Sequence, residues 1–145
     1  MPGRREHDTA VGHSFGLEVD GVRVAMLTEV NGLGWEREVI ELREGGDPDA
    51  TTRRLPGRMK PGEVTLTRGL TTDLTFEQWM RDPVPVGQPR RAVSLALFDR
   101  KGRAVARFHL ENAWPSRLEV TGLRSGASEV AVETLTLVHE GLERV

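Results

Sequence analysis

The feature that most constrains this fold is a stretch of alternating apolar residues that turns back on itself. Apolar and polar residues alternate over 15–19, reach Asp20-Gly21, and the alternation resumes at Val22. An Asp-Gly pair readily adopts the positive φ angles of a two-residue β-turn, and alternation is typical of strands with one buried face. The pattern therefore predicts an antiparallel hairpin with strands near 13–19 and 22–30.

A second hairpin is predicted further along the chain. Val93, Leu95 and Leu97 alternate up to the four-residue turn Asp99-Arg100-Lys101-Gly102, and the return strand covers 103–110. Most of the remaining β-prone runs are bounded by glycine or proline, which break regular structure. Four further strands are expected at 35–42, 64–67, 118–120 and 129–140.

One short helix is predicted between these strands. Phe76, Trp79 and Met80 are spaced i, i+3 and i+4, which places them on one helical face. Residues 71–73 offer side-chain oxygens that can cap the first turn, and Pro83 ends the segment.

The segments between the strands define the expected organisation. Residues 1–12 are polar and predicted to be flexible, whereas 13–145 is expected to form a single β domain. A long connection over 43–62 carries several prolines and glycines, and Trp114-Pro115 is expected to interrupt strand pairing. The strand over 129–140 is apolar on both faces, which predicts burial on both faces or cover by a partner chain. The expected fold is mainly β: an antiparallel β-sandwich or barrel of seven or eight strands, with one short α-helix and a long extended loop.

Composition excludes several classes of protein. The net charge of −2 over 145 residues, with both signs interspersed, does not favour stable membrane binding or specific nucleic-acid binding. Cysteine is absent, which excludes disulfides, thiol nucleophiles and thiolate metal sites. Residues 1–8 are too charged for a secretory signal, and the nearly apolar run 92–98 is too short to span a bilayer as a helix. We therefore expect the chain to be made and to fold in the cytosol.

No group of residues indicates catalysis. The histidines lack the i, i+2 or i, i+4 spacing of paired metal ligands; they are His7, His13, His109 and His139. Residues 122–126 do not fit the nucleophile-elbow pattern, and the glycines at 32 and 34 lack the third glycine of a dinucleotide site. The sequence therefore predicts no enzyme activity, no cofactor and no metal.

Several ordered segments resemble the tail tube family of contractile phages and phage-like injection systems. The segments are EVNGL at 29–33, EVIE at 38–41 with REGG at 43–46, RLPG at 54–57, KPGEVTL at 60–66 with RG at 68–69, NAWP at 112–115, and ETLTLVHEGL at 133–142. They occur in the family's order over most of 14–142. The helix departs from the family pattern, in which two aromatics often lie close together near Trp79, whereas here Phe76 and Trp79 are three residues apart.

The resemblance implies a tail-tube fold and a structural role. Six subunits would form a ring whose sheets join edge to edge around a lumen, and rings would stack head to tail into a tube. The implied partners are further copies of this chain, a sheath protein whose contraction propels the tube, baseplate, spike and terminator proteins, and cargo in the lumen. Assembly in the bacterial cytoplasm would precede incorporation into a phage tail or an injection particle, which can be released from the cell.

Candidate functional residues follow from the same resemblance and from the loop over 43–62. An open stack needs two different complementary surfaces, and a loop with acidic and basic halves suits that need. The candidates for contacts between subunits and for ring stacking are Arg43, Glu44, Asp47, Asp49, Arg53, Arg54, Arg58 and Lys60. The motif residues expected to have structural roles are Gly32, Gly45, Gly46, Pro56, Gly57, Trp79, Trp114, Pro115, His139 and Glu140.

Three alternatives remain open from the sequence. A baseplate-proximal tube initiator or adaptor would share the fold but stop after one or two rings. A monomeric carbohydrate-binding β-sandwich would need an aromatic groove, and three tryptophans with no tyrosine offer little material for one. A small hydrolase would need a nucleophile–base pair, which the sequence does not indicate.

Overall fold

The computed structural model describes residues 14–43, 45–46, 51–83, 92–126 and 130–145. Within these residues the chain forms eleven strands and one helix. In chain order they are β1 (Ser14–Val19), β2 (Val22–Leu27), β3 (Glu29–Asn31), β4 (Arg37–Leu42), β5 (Arg53–Met59), β6 (Gly62–Gly69), α1 (Thr75–Arg81), β7 (Val93–Phe98), β8 (Ala104–Glu111), β9 (Trp114–Thr121), β10 (Val132–His139) and β11 (Gly141–Arg144).

The strands form three antiparallel sheets. A five-stranded sheet has the order β11-β8-β7-β1-β2, and a four-stranded sheet has the order β3-β6-β10-β9. The third sheet is the isolated pair β4-β5. The predicted mainly antiparallel β fold with one short helix is confirmed.

A single hydrophobic cluster joins the two larger sheets. Leu17 and Leu95 contribute from the five-stranded sheet, and Leu66 and Leu135 contribute from the four-stranded sheet, each with at most 1% of its surface exposed. Alternating residues of each strand point into this cluster, as the period-two patterns predict. Phe76 of α1 is also fully buried in it.

Both hairpins predicted from turn residues are present. Val19 pairs with Val22 across Asp20-Gly21, where both turn residues have positive φ. The second turn is held by Asp99, whose Oδ1 accepts hydrogen bonds from the amides of Lys101 and Arg103, each at 2.9 Å. The predicted helix is also confirmed, and it ends at Arg81, two residues before Pro83.

Several predicted boundaries are wrong for identifiable reasons. The connection over 43–62 is not loop throughout, because Arg53–Met59 forms β5 in spite of Pro56 and Gly57. Trp114-Pro115 does not interrupt a strand but begins β9, which lies at the edge of its sheet, where a proline is tolerated.

The count of seven or eight strands is therefore too low for the described residues. The strand predicted over 22–30 divides into β2 and β3, which belong to different sheets, and β11 was not predicted. The predicted strand over 129–140 shortens to Val132–His139. The N-terminal segment predicted to be flexible, 1–12, lies outside the described residues.

Candidate assembly surfaces

The β4–β5 pair forms an exposed hairpin arm, defined here as residues 37–42 and 53–59. Every residue of the arm is exposed except Gly57, which is half-buried. Two-stranded hairpins without cover on either face are marginally stable in water. This arm therefore has the character of an element that packs against another surface.

The arm carries large apolar side chains on both faces. Ile40 lies opposite Leu55, so these two side chains share one face, whereas Val39 lies opposite Pro56 on the other face. Val39, Ile40 and Leu55 are 61%, 49% and 40% exposed. Exposed apolar side chains grouped in this way mark interaction surfaces on soluble proteins.

The base of the arm is fixed to the rest of the chain. The indole of Trp35 donates a hydrogen bond from Nε1 to the backbone oxygen of Leu142 in β11, at 2.7 Å. Arg37 donates from Nη1 to the carbonyl of Gly57 at 2.9 Å. A side chain at Gly57 would meet the backbone oxygen of Glu38 at 2.9 Å, so the close approach of the two strands requires glycine there.

The structure places the predicted basic residues on the arm. Arg53, Arg54 and Arg58 belong to β5 and are exposed, and Lys60 follows the strand directly. Arg54 lies 3.8 Å from Glu41, and Lys60 lies 3.3 Å from Glu36. Pairs as exposed as these contribute little to stability, so the positive charges stay accessible to a partner.

The remaining loop candidates are only partly described. Arg43 is exposed directly after β4, and Gly45 and Gly46 form an exposed turn. Glu44, Asp47 and Asp49 lie outside the described residues. The predicted pairing of an acidic half with a basic half of this loop therefore stays a prediction.

Each of the larger sheets has open edges. The four-stranded sheet ends at β3 and β9, which run in opposite directions because three antiparallel pairings separate them. The five-stranded sheet ends at β11 and β2, which run in the same direction because four antiparallel pairings separate them. An open edge presents unpaired backbone donors and acceptors that a further strand can complete.

The centre of the outward face of the four-stranded sheet is polar. Cross-strand register forms two rows of side chains on this face. One row contains Glu29, Thr67, Thr134 and Glu119, and the other contains Asn31, Thr65, Thr136 and Arg117. The hydroxyls of Thr67 and Thr134 lie 3.4 Å apart.

A buried polar cluster anchors α1 to the four-stranded sheet. Arg68 of β6 forms an ion pair with Glu133 of β10, and both residues are at most 6% exposed. The same guanidinium donates to Asp73 Oδ2 at 3.0 Å and lies over the Phe76 ring, 4.0 Å from its centroid. Asp73 in turn accepts from the backbone amide of Thr75 at 3.1 Å. Hydrogen bonds from Thr75 and Arg68 hold the pKa of Asp73 below its usual value.

A groove of about 360 Å³ lies beside α1. Its apolar lining is formed by Val19, Val24 and Trp79, and Gln78 and Asp82 contribute polar groups. Trp79 is 9% exposed and belongs to the hydrophobic core. The sequence predicted that Trp79 lies on one helical face with Phe76 and has a structural role. The groove was not predicted, because it depends on residues from β1 and β2 meeting the helix.

Two further motif residues lie in constrained positions. Gly32 has φ +93°, and a side chain there would meet the carbonyl oxygen of Glu63 at 2.3 Å. His139 ends β10 with 6% exposure, and neither ring nitrogen has a hydrogen-bond partner among the described residues. Burial lowers the pKa of His139, and the neighbouring backbone of Gly141 opposes this shift only in part.

The other motif residues lie where strands meet. Trp114 is half-buried opposite Val138, and Pro115 is buried opposite Leu137. Glu140 Oε2 accepts a hydrogen bond from Asn112 Nδ2 at 2.5 Å, which links the turns that follow β8 and β10.

The described parts of the chain contain neither a cluster of potential metal ligands nor a membrane-spanning helix. No group of three or more potential metal-ligating side chains occurs among them. None of the helices in the same ranges is long and apolar enough to cross a bilayer.

An exposed apolar arm, open sheet edges and a groove define a subunit suited to assembly, and comparison with known proteins identifies its family. Residues 11–143 match the model of the T4-like virus tail tube protein gp19 family. Since this match spans most of the sequence, the chain belongs to that family. It is therefore an inner tube structural subunit of a phage tail or a contractile injection system. No curated protein sequence matches the chain significantly.

Solved structures share the fold at low sequence identity. A chain of the extended PVC sheath-tube complex, an extracellular contractile injection system, aligns with a TM-score of 0.80 and 18% identity over 97% of this chain and 93% of that chain. A chain of the anti-feeding prophage tube terminating cap aligns with a TM-score of 0.79 and 18% identity over 99% and 95%. Hcp1 from Flavobacterium johnsoniae aligns with a TM-score of 0.51 and 14% identity over 90% and 93%. These matches confirm the tail-tube fold, and none of them supports the carbohydrate-binding alternative.

Proposed function

We propose that six copies of this chain close into a ring through the edges of the four-stranded sheet, and that such rings stack into a hollow tube. The observation that carries this proposal is the direction of the edge strands. β3 and β9 run in opposite directions, so rotation about a ring axis brings β9 of one copy beside β3 of the next in an antiparallel arrangement. Antiparallel pairing then continues around the whole ring without an edge.

The five-stranded sheet is less suited to the inner wall. Its edge strands β11 and β2 run in the same direction, so each junction between copies would be parallel. Parallel pairing is slightly less stable per residue and would break the regular alternation of the sheet. The four-stranded sheet is therefore the proposed wall of the lumen.

The proposed lumen surface is the outward face of the four-stranded sheet. Threonines from β6 and β10 lie at its centre, with Glu29 and Glu119 in one row and Arg117 in the other. Hydroxyl groups and mixed charges hydrate well, which suits a channel that passes cargo without holding it.

The hairpin arm is the proposed ring-stacking element. Its apolar residues are exposed on both faces, and β5 adds three arginines. A stack that repeats without closing requires an interface between two different surfaces of the same chain. If a copy in the next ring packs against the arm, the apolar side chains of the arm are removed from water.

The proposed partners follow from this architecture and from the similar structures. Those structures include a sheath-tube complex and an injection-system baseplate. By this analogy the outer surface of the tube would contact a sheath, and the end rings would contact baseplate and terminator proteins. The role is structural and needs no catalytic residue, and assembly would take place in the cytoplasm before loading of cargo.

Negative-stain electron microscopy across a protein concentration series, alone and with sheath and baseplate proteins, tests this proposal. Six-fold rings with a central hole, and stacks of them, are the expected result. Long stacks would indicate the main tube, whereas one or two rings would indicate a baseplate-proximal initiator. Protein that stays monomeric even with sheath and baseplate present would contradict the proposal.

The arm provides a matched pair of variants for the same assay. Ile40→Ser with Leu55→Ser should leave rings intact but abolish their stacking, because it removes the apolar face without touching the core. Lys101→Ser, in the exposed turn between β7 and β8, is the control and should stack normally. Normal stacking of the double variant would contradict the role given to the arm.

A further inference from the structure

The groove beside α1 has the properties of a receptor for the hairpin arm. Three of its six lining residues are apolar, namely Val19, Val24 and Trp79, and it opens to solvent. Exposed apolar side chains also lie on and before the same helix, with Leu74 54% and Met80 38% exposed. No described segment of the chain fills this apolar surface, although the helix that forms it is anchored firmly.

The groove and the arm lie toward opposite ends of the four-stranded sheet. The arm ends at Met59, three residues before β6 begins at Gly62, whereas α1 begins six residues after β6 ends at Gly69. β6 has eight residues, so the two connections are separated by roughly 23 Å along the strand direction. An arm that leaves one end of a subunit can therefore meet the groove end of a copy displaced along that direction.

We propose that the Ile40–Leu55 face of the arm docks into the α1 groove of a copy in the adjacent ring. This inference rests on the proposed stacking of rings and names the surface that receives the arm. The two surfaces differ in shape, one projecting and one concave, so the contact is heterologous and repeats from ring to ring. Two leucine-sized side chains projecting from a hairpin suit a groove of about 360 Å³ that is lined in part by apolar side chains.

Charge favours the same pairing. Arg53 lies two residues from Leu55 in β5 and therefore shares the Ile40–Leu55 face, whereas Arg54 lies on the other face. The helix beside the groove carries Glu77, and Asp82 lines the groove where the helix ends. Opposite charges around an apolar contact set the orientation of the two partners and disfavour wrong ones.

The groove is also held in one shape before any partner arrives. Arg68 connects β6 with Glu133 of β10 and with Asp73 at the start of α1, and its guanidinium covers the Phe76 ring. A helix fixed in this way keeps Trp79 in place. A preformed receptor lowers the entropy lost on docking.

Cysteine cross-linking tests the contact directly, because the chain has no cysteine of its own. The test variant combines Leu55→Cys on the arm with Gln78→Cys in the groove; both positions are exposed, so the core is untouched. Assembled particles are treated with a short bismaleimide and separated on a denaturing gel. The expected result is a ladder of covalently linked subunits, since each copy contributes one arm and one groove.

The control variant combines Leu55→Cys with Lys101→Cys. Lys101 lies in the turn after β7, at the other end of the five-stranded sheet from Val19. Electron microscopy of both variants confirms that stacks are present before cross-linking. The control variant should form stacks but give no ladder of cross-linked subunits.

A second pair of variants blocks the groove instead of reporting on it. Gln78→Trp should fill the groove and cause loss of stacking while rings persist, whereas Arg100→Trp, in the exposed turn between β7 and β8 and outside the groove, should stack normally. Normal stacks that give no Leu55–Gln78 ladder, or a ladder of equal strength in the Lys101 control, would overturn the docking assignment and leave the proposed tube intact. Failure of the unmodified chain to stack with sheath and baseplate would overturn both.

Discussion

Removing one partner of the buried Arg68–Glu133 pair should destabilise the subunit strongly, whereas replacing both should not. Each residue is at most 6% exposed, so a single substitution leaves a charge in the core. Breaking a buried ion pair in this way costs about 3–5 kcal/mol, while replacing both partners by apolar residues of similar size is often neutral or stabilising.

The structure ranks the two single substitutions. In Glu133→Leu, Arg68 keeps its hydrogen bond to Asp73 Oδ2 at 3.0 Å and its contact with the Phe76 ring, so about 3 kcal/mol is expected. In Arg68→Met, Glu133 loses the guanidinium and Asp73 loses a hydrogen bond, so about 4 kcal/mol is expected. The free energy of unfolding of the double variant should lie within about 1 kcal/mol of that of the unmodified chain.

Urea denaturation followed by tryptophan fluorescence, at concentrations too low for assembly, measures these differences. The chain has three tryptophans, one of them in α1. Single variants that cost less than about 1 kcal/mol would show that the pair is not buried as described. A double variant as unstable as the less stable single variant would show that the ion pair and hydrogen bonds of the cluster themselves stabilise the fold.

Three further predictions address other parts of the chain. Gly32→Ala should destabilise the subunit by about 1–3 kcal/mol or more, because Gly32 has φ +93° and an added Cβ would clash with the carbonyl oxygen of Glu63. Gly34→Ala, which has open space around it, is the control in the same denaturation assay. Equal stability of the two variants would contradict this reasoning. The unfolding free energy of the unmodified chain should fall as the pH drops below about 6.5, because burial lowers the pKa of His139 in the folded state and unfolding then takes up a proton. His139→Leu should lose this part of the pH dependence between about pH 7 and 5, since Asp73 and Asp99 have lowered carboxyl pKa values and titrate below that window. If the unfolding free energy of both proteins changes equally with pH in this window, the assignment to His139 is refuted. Thr134→Cys, on the outward face of the four-stranded sheet, should react with a small maleimide in assembled tubes but be shielded from a protein-sized maleimide conjugate; equal access for both reagents would place this face outside the lumen.

Local turn chemistry explains which parts of the fold the sequence predicted. Asp20-Gly21 and Asp99–Gly102 each determine a hairpin through backbone conformation and short-range hydrogen bonds, so the flanking strands are readable from adjacent residues. The helix is equally local, because its apolar spacing lies within seven residues. The family motifs then supplied the tail-tube fold.

The features that sequence could not predict depend on distant partners. β5 contains Pro56 and Gly57, which lower its propensity, and it exists because β4 pairs with it. β9 accepts Pro115 only because it is an edge strand, a position that no local pattern reveals. The groove requires the end of β1 to meet α1.

The basic arm residues were predicted as assembly candidates on the family resemblance. Their placement on a projecting strand goes beyond that prediction, because exposure of Ile40 and Leu55 cannot be read from a strand pattern. A large apolar residue in a predicted strand is normally assigned to the core.

Cryo-electron microscopy of the assembled particle, at a resolution that traces strands, tests the central claim most directly. We expect six-fold rings in which β9 of each copy pairs antiparallel with β3 of the next, with Thr134 facing the lumen and the hairpin arm reaching the adjacent ring. A ring closed through β2 and β11, with the five-stranded sheet lining the lumen, would contradict it.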